Sequence, residues 1–121
     1  MRNMSFMLTT EQIRNRTKTV TRRLGWKTLK TGTVLNACVK CQGLKKGEKV
    51  QKICQIRVTD VRQESLSKMC LKESYGNEEA RLEGFPDKSG IDFVAMFCTH
   101  MNVKPYAEVT RIQFEYIEGG S

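Results

Sequence analysis

The sequence predicts an α+β fold, a small and mostly antiparallel β-barrel flanked by helices, and three observations carry that reading. First, the stretches TVLNACVKC, KICQIRVTDV and EVTRIQFEYI alternate apolar and polar residues with the period of a strand. Second, SGIDFVAMFCTHM carries apolar residues at three- and four-residue spacing, the period of a helix. Third, the chain of 121 residues has no internal repeat and no Pro/Gly-rich linker, so one domain over residues 1–121 is expected.

In chain order, a short apolar strand is expected over Phe6 to Leu8. Thr9, followed three residues later by Gln12, has the pattern of a capping box and opens a brief helix through EQIRNR. In the first alternating stretch Leu35, Ala37, Val39 and Cys41 share a face, and in the second Cys54, Ile56 and Val58 do. Between them CQGLKKGEKVQK, with two glycines and four lysines, reads as a basic hairpin tip. A helix near NEEARL ends at Gly84, where glycine supplies the left-handed residue that stops it. Ser89 with Asp92 caps the longer helix, whose expected inner face is Ile91, Val94, Ala95, Cys98 and Met101. The last strand turns Ile112, Phe114 and Tyr116 inward and Arg111, Gln113 and Glu115 outward.

Composition narrows the function. Lys and Arg total 21 against 13 Asp and Glu, a net charge of +8 and a pI near 9.4. Such an excess favours a polyanionic partner, of which nucleic acid is the commonest. No apolar run approaches the roughly 18 residues of a membrane helix, and the first ten residues do not read as a secretory signal, so a cytoplasmic location is expected. The five cysteines, an odd number in apolar surroundings, have the character of buried reduced thiols. Cys38 and Cys41 form a lone C-x2-C with no second pair, and in a regular strand they would point to opposite faces; neither a metal nor a cofactor is expected.

The densest chemistry lies in RTKTVTRRLGW, residues 16–26. Its cations and hydroxyls suit a pocket for something anionic and planar, or equally a solvated helix-to-strand connection. Arg16, Arg22 and Arg23 are candidate phosphate contacts, since a guanidinium fork matches phosphate oxygens; ion pairs with Glu11 or Glu83 are the other reading. Trp26 either stacks on a base or packs at the rim of the core. Lys45 and Lys46, with Lys49 and Lys52, either draw in a phosphate backbone or keep a hairpin tip soluble. His100 beside Thr99 is a candidate base or a helix-end surface residue.

TKTVTRR after a short helix, then LKTGTVL, then EGFP ahead of a helix and a last strand RIQFEYI, resembles the ASCH domain, a compact relative of the PUA fold. The likeness runs from about Phe6 to Ile117 and is greatest to short ASCH proteins of bacteriophages and prophages. It implies a PUA-like barrel, a cleft between barrel and helices, and recognition of RNA or a modified nucleoside. Some ASCH proteins are amidohydrolases that remove the acetyl group of N4-acetylcytidine, using a lysine and a threonine of a KTxT motif and a glutamate before the last helix. Those positions fall on Lys18, Thr21 and Glu83. N-acyl hydrolysis asks for a nucleophile, a base and a proton for the leaving amine, which Thr21, Lys18 and Glu83 could supply. In a fully extended strand Lys18 and Thr21 would face opposite ways, so a helix end or turn at Thr19 and Val20 is required.

The expectation is a nucleic-acid or nucleotide-binding module with a cationic cleft. The alternatives are an N4-acetylcytidine-type amidohydrolase and a phage protein that binds a host protein.

Overall fold

A computed structural model describes residues 1–41 and 44–118; Gln42 and Gly43 of the expected basic tip lie outside the described residues. The strands are β1 (Asn3–Ser5), β2 (Val20–Arg23), β3 (Val34–Cys38), β4 (Lys52–Ser65) and β5 (Glu108–Tyr116). The helices are α1 (Thr10–Arg14), α2 (Lys68–Leu71), α3 (Glu73–Leu82) and α4 (Gly90–Met101). The sheet order is β1-β3-β4-β5-β2. Only β1 and β3 run parallel; every other pairing is antiparallel.

The 14-residue β4 organises the sheet. Its first part pairs with β3 and its remainder with β5, with a register shift between Val58 and Asp60. Such a bulge bends and twists a strand, which lets the sheet curl. The curl brings the two edge strands together: the Arg23 guanidinium, at the end of β2, lies 4.7 Å from the ring centre of Phe6, just after β1. Side chains rather than ladder hydrogen bonds close this side of the barrel. Met4, Phe6, Leu35, Ile56, Ile112 and Phe114 fill the barrel, while Leu66, Met69, Phe93, Val94 and Val109 form a second apolar cluster beneath the helices.

Several expectations shift. Residues Met7–Thr9 form a 3-10 turn, not a strand; the strand lies earlier, at Asn3–Ser5. The Phe6 N–H still bonds Cys38 O, and then Thr9 N–H bonds back to Phe6 O and turns the chain away from the sheet. The capping box at Thr9 does not form, because Thr10 Oγ1 bonds Phe6 O at 2.9 Å and the Gln12 amide reaches Gly84 O at 3.3 Å. β3 stops at Cys38, short of Val39 and Cys41, and α2 had no counterpart in the periodicity. Among the described residues no helix is long and apolar enough to cross a membrane.

The face of α4 is also rotated from the one expected. Ser89 caps it as foreseen, accepting from Asp92 N–H at 3.1 Å, but the buried residues are Gly90, Phe93, Val94 and Phe97. Ile91 is 63 % exposed. The cause is a close helix crossing: a Cβ on Gly90 would stand 2.5 Å from Gly76 Cα, and one on Gly76 would stand 2.0 Å from Met69 O. Glycine permits that approach, and the positions three, four and seven residues after Gly90 then face inward with it.

Candidate functional site

Three short pieces of chain converge where the site forms. α1 ends at Asn15, and Arg16 turns the backbone with φ 62°. The chain then runs beside the end of α3: Thr17 and Lys18 N–H groups bond Gln12 O, and Thr19 N–H bonds Leu82 O at 2.9 Å. Gly84 closes the corner in the left-handed conformation (φ 98°), where a Cβ would meet Gln12 Cγ at 2.8 Å. That corner holds Glu83 directly against Lys18. Lys18 Nζ donates to Glu83 O at 2.8 Å and to Glu83 Oε1 at 2.7 Å, and both side chains are buried.

β2 carries the next cation into the same interior. Arg22 stands opposite Arg111 of β5, and Arg111 stands opposite Arg62 of β4, so three guanidiniums lie in a row across neighbouring strands. Like charges placed in this way repel, and carboxylates answer them. Arg22 donates to Glu83 Oε2 at 3.1 Å, Glu64 Oε2 at 2.9 Å and Glu79 Oε1 at 2.6 Å. Arg111 grips Glu79 through two bonds, of 2.5 and 3.0 Å, and Arg62 pairs with Glu64 at 2.9 Å. Lys18, Arg22 and Arg111 are therefore balanced by Glu64, Glu79 and Glu83, all six buried. The Arg22 Nε–H alone has no partner among the described residues.

The electrostatic consequences follow from burial and these partners. Desolvation pulls the Lys18 ammonium below the ordinary lysine value, with Glu83 opposing and Arg23 and Arg22 assisting. Burial also works against the Arg22 charge, but Glu83, Glu79 and Glu64 overcome it and raise its value. Burial pushes Glu64 and Glu79 upward, and their arginine partners more than reverse this, so both are lowered.

Beside this cluster lies a cavity of about 240 Å³ between the barrel and α4. Lys18, Thr21, Arg22, Arg23 and Glu83 supply its polar side; Phe6, Phe85, Phe93, Met96 and Phe97 are among its apolar walls. Met7 and Leu8, 58 % and 61 % exposed, stand at its mouth with His100 and Met101. Arg23 differs from Arg22 in having no carboxylate in ion-pair contact among the described residues. Its Nε donates to Thr21 Oγ1 at 3.1 Å and its plane covers Phe6. Burial lowers it to about 10, with Glu83 and then Cys41 opposing.

Lys18, Thr21 and Glu83 thus line one cavity although the turn comes at Arg16 rather than at Thr19 and Val20. No hydrogen bond joins Lys18 Nζ to Thr21 Oγ1 among the described residues; Lys18 spends two of its three donors on Glu83. Of the candidate phosphate contacts, Arg22 has its guanidinium held by three carboxylates and its side chain 0 % exposed. Arg16, Trp26, Lys45 and Lys46 do not line the cavity. Arg16 pairs with Glu118 and covers Tyr116. Trp26 packs against the barrel core with Arg2 over its ring at 5.0 Å. Lys45 and Lys46 are exposed in a turn closed by Glu48 N–H bonding Lys45 O at 2.9 Å. Glu11 pairs with Arg14 and not with the run that follows.

Glu64, Glu79, Arg111 and the phenylalanine walls escaped the reading of the sequence. One signal was present: Glu79 and Glu83 are four residues apart, one above the other on a helix. Cys38 also behaves as a neutral thiol, which burial first and neighbouring Cys41 second push up to about 11.

No family model and no curated protein matches this sequence. Solved structures do. The ASCH domain from Lactobacillus crispatus JV V101 is similar over 90 % of this chain and 70 % of its own, at 17 % identity and a TM-score of 0.53. Protein EF3133 from Enterococcus faecalis V583, of family DUF984, is similar over 91 % of this chain and 70 % of its own, at 16 % identity and a TM-score of 0.54. With its curled five-stranded sheet and the helix-walled cavity against it, the chain has an ASCH-like α+β fold.

Proposed function

We propose that this chain is a nucleic-acid or nucleotide-binding module of the ASCH type, and that the cavity between barrel and α4 receives the base of a modified nucleoside. The carrying observation is the composition of that cavity. Phenylalanine walls face a polar side on which two of three cations are already neutralised and the third, Arg23, keeps no carboxylate partner. A planar apolar group with one acceptor or anionic edge is complementary to such a surface. A ring slides between Phe93, Phe97 and Phe6, and its carbonyl or a nearby phosphate takes the guanidinium of Arg23 and the hydroxyl of Thr21.

Titration calorimetry with cytidine and N4-acetylcytidine tests this. The expected outcome is saturable binding of at least one of them that Phe97→Ala weakens about tenfold, equivalent to about 1.4 kcal/mol. Absence of heat with both nucleosides, and with their 5′-monophosphates, removes the reading.

One observation favours hydrolysis as a second reading: a buried lysine with a lowered pKa and a threonine share the cavity. Thr21 Oγ1 would attack the acyl carbon while Lys18 takes its proton and passes it to the departing amine; water would then release the acyl group. The missing hydrogen bond between the two is compatible with a free site, where such contacts are long until substrate arrives. Release of cytidine from N4-acetylcytidine, followed by chromatography and lost in Thr21→Val, is the outcome this reading demands.

A further inference from the structure

We propose that the loop joining β3 to β4 is a phosphate-binding arm, so that the base in the cavity belongs to a single-stranded nucleic acid and not to a free nucleoside. For the position of the base the proposal rests on the cavity reading above; its own support is a separate charge distribution.

Residues 39–52 hold five lysines, Lys40, Lys45, Lys46, Lys49 and Lys52, against one glutamate, Glu48. That segment accounts for half of the net charge of +8. The surface arginines are treated differently. Arg14, Arg16, Arg57, Arg62 and Arg81 each sit in an ion pair with a carboxylate. Among the described residues none of the five loop lysines does, and the side chain of Glu48 is turned onto the backbone N–H of Lys45. Lys45, Lys46, Lys49 and Lys52 are exposed. Lys27, Lys30, Lys72, Lys88 and Lys104 are likewise without an ion pair among the described residues, but they are scattered along the chain, whereas five lysines within residues 39–52 concentrate positive potential in one place.

That place adjoins the cavity. Ser5 and Phe6, both cavity residues, are tied to the root of the loop: Ser5 Oγ donates to Val39 O at 3.2 Å and Phe6 N–H to Cys38 O at 2.8 Å. The root of the lysine-bearing loop therefore stands beside the cavity that holds the unpaired Arg23. A strand backbone lying on the lysines places its next base at the mouth lined by Met7, Leu8 and His100. Lysines fit this task, since they contact phosphates as point charges without imposing a sequence.

The test uses the whole protein and a variant in which Lys45, Lys46, Lys49 and Lys52 are all replaced by Gln, with thermal melting as the control for folding. Fluorescence anisotropy follows a labelled RNA of about 12 nucleotides carrying one N4-acetylcytidine, over a series of salt concentrations, and calorimetry follows free N4-acetylcytidine. Each phosphate contact on a single strand adds about 0.7 to the slope of log K against log salt. The variant is expected to lose about 3 from that slope and to bind the strand at least about tenfold more weakly at low salt, with its affinity for the free nucleoside unchanged. An unchanged slope and strand affinity would overturn the arm and leave the cavity reading standing. Equal losses for strand and nucleoside would also overturn it, by showing that the loop acts through the cavity's shape. Loop-dependent strand binding with no nucleoside binding by either protein would uphold the arm and remove the cavity reading.

Discussion

Arg22 and Arg23 are consecutive in the sequence, and the fold sends them to opposite fates. On the α3 side of β2, Arg22 meets three carboxylates and disappears into a cluster whose buried charges sum to zero. On the cavity side, Arg23 meets a hydroxyl and an aromatic ring and keeps its charge unmatched. The difference teaches that availability, rather than charge, separates a structural cation from a functional one. Alternation along a strand turns neighbouring side chains to different surroundings, and here Arg22 meets Glu64, Glu79 and Glu83 while Arg23 is left without a carboxylate in the pocket that both border. Where three carboxylates already hold a guanidinium whose side chain solvent does not reach, a phosphate has little to gain by approaching.

The sharpest way to break this comparison is to unbalance the Arg22 side. Glu79 serves two guanidiniums at once, taking bonds from Arg22 and Arg111. Glu79→Gln keeps the shape but leaves a net buried positive charge, and removing one member of a buried ionic cluster costs about 3–5 kcal/mol. A fall of that size in unfolding free energy, read from the urea midpoint at constant m-value, is the expected outcome. A loss below about 1 kcal/mol would mean that water reaches the cluster and that Arg22 is no more structural than an exposed pair.

Acid should reproduce part of the same loss in the native protein. Glu64 and Glu79 are both held below their ordinary value of 4.5 by their arginines, against the opposing push of burial. For a carboxylate whose folded value lies below the unfolded one, the stabilisation is complete above the unfolded value and is lost as pH falls through the folded one. Unfolding free energy is therefore expected to be level above about pH 5 in this respect and to decline below about 4.5. Lys18 runs the other way: its lowered value means that it costs stability when protonated and ceases to as pH rises toward 10.5. In Glu79→Gln the acid decline should be shallower, because one of the two titrating groups is gone. Parallel acid profiles in the two proteins would sink the assignment.

How much of this was legible in the sequence follows the range of the forces involved. The alternation at the start of β4, the Ser89 cap and the glycine stop at Gly84 depend on neighbours within a few positions and stand where the sequence places them, whereas β3 stops short, at Cys38. The meeting of Lys18 with Glu83, 65 residues apart, was reachable only through family resemblance. What stayed hidden depends on packing across the molecule. The face of α4 was set by a contact between Gly76 and Gly90 that periodicity does not encode. The outward reading of Arg111 was correct for its side of the strand, but that side is covered by α3 and so buried. Arg16 and Trp26 show a related effect: a cation or an aromatic ring finds a partner within the fold, Glu118 for one and Arg2 for the other, which the sequence does not announce.

The smallest effect on stability belongs to Arg23, and there the comparison becomes sharpest. Arg23→Gln removes one hydrogen bond to a hydroxyl and a cation over a ring, interactions worth about 0.5–1.5 kcal/mol each in net terms. Against this, the substitution relieves the cost of holding a half-buried guanidinium without a carboxylate, which already pulls it down to about 10. The opposed contributions leave a net change in unfolding free energy within about 1 kcal/mol. Ligand affinity should respond far more. A charged hydrogen bond to an anionic or carbonyl group contributes about 1.5–3 kcal/mol, so calorimetry with a nucleoside monophosphate should show at least about a tenfold loss. Stability nearly unchanged with affinity lost is the reverse of the pattern expected at Glu79. If instead Arg23→Gln unfolds the protein as readily as Glu79→Gln while sparing affinity, the two sides of β2 are alike and the cavity has no cation of its own to offer.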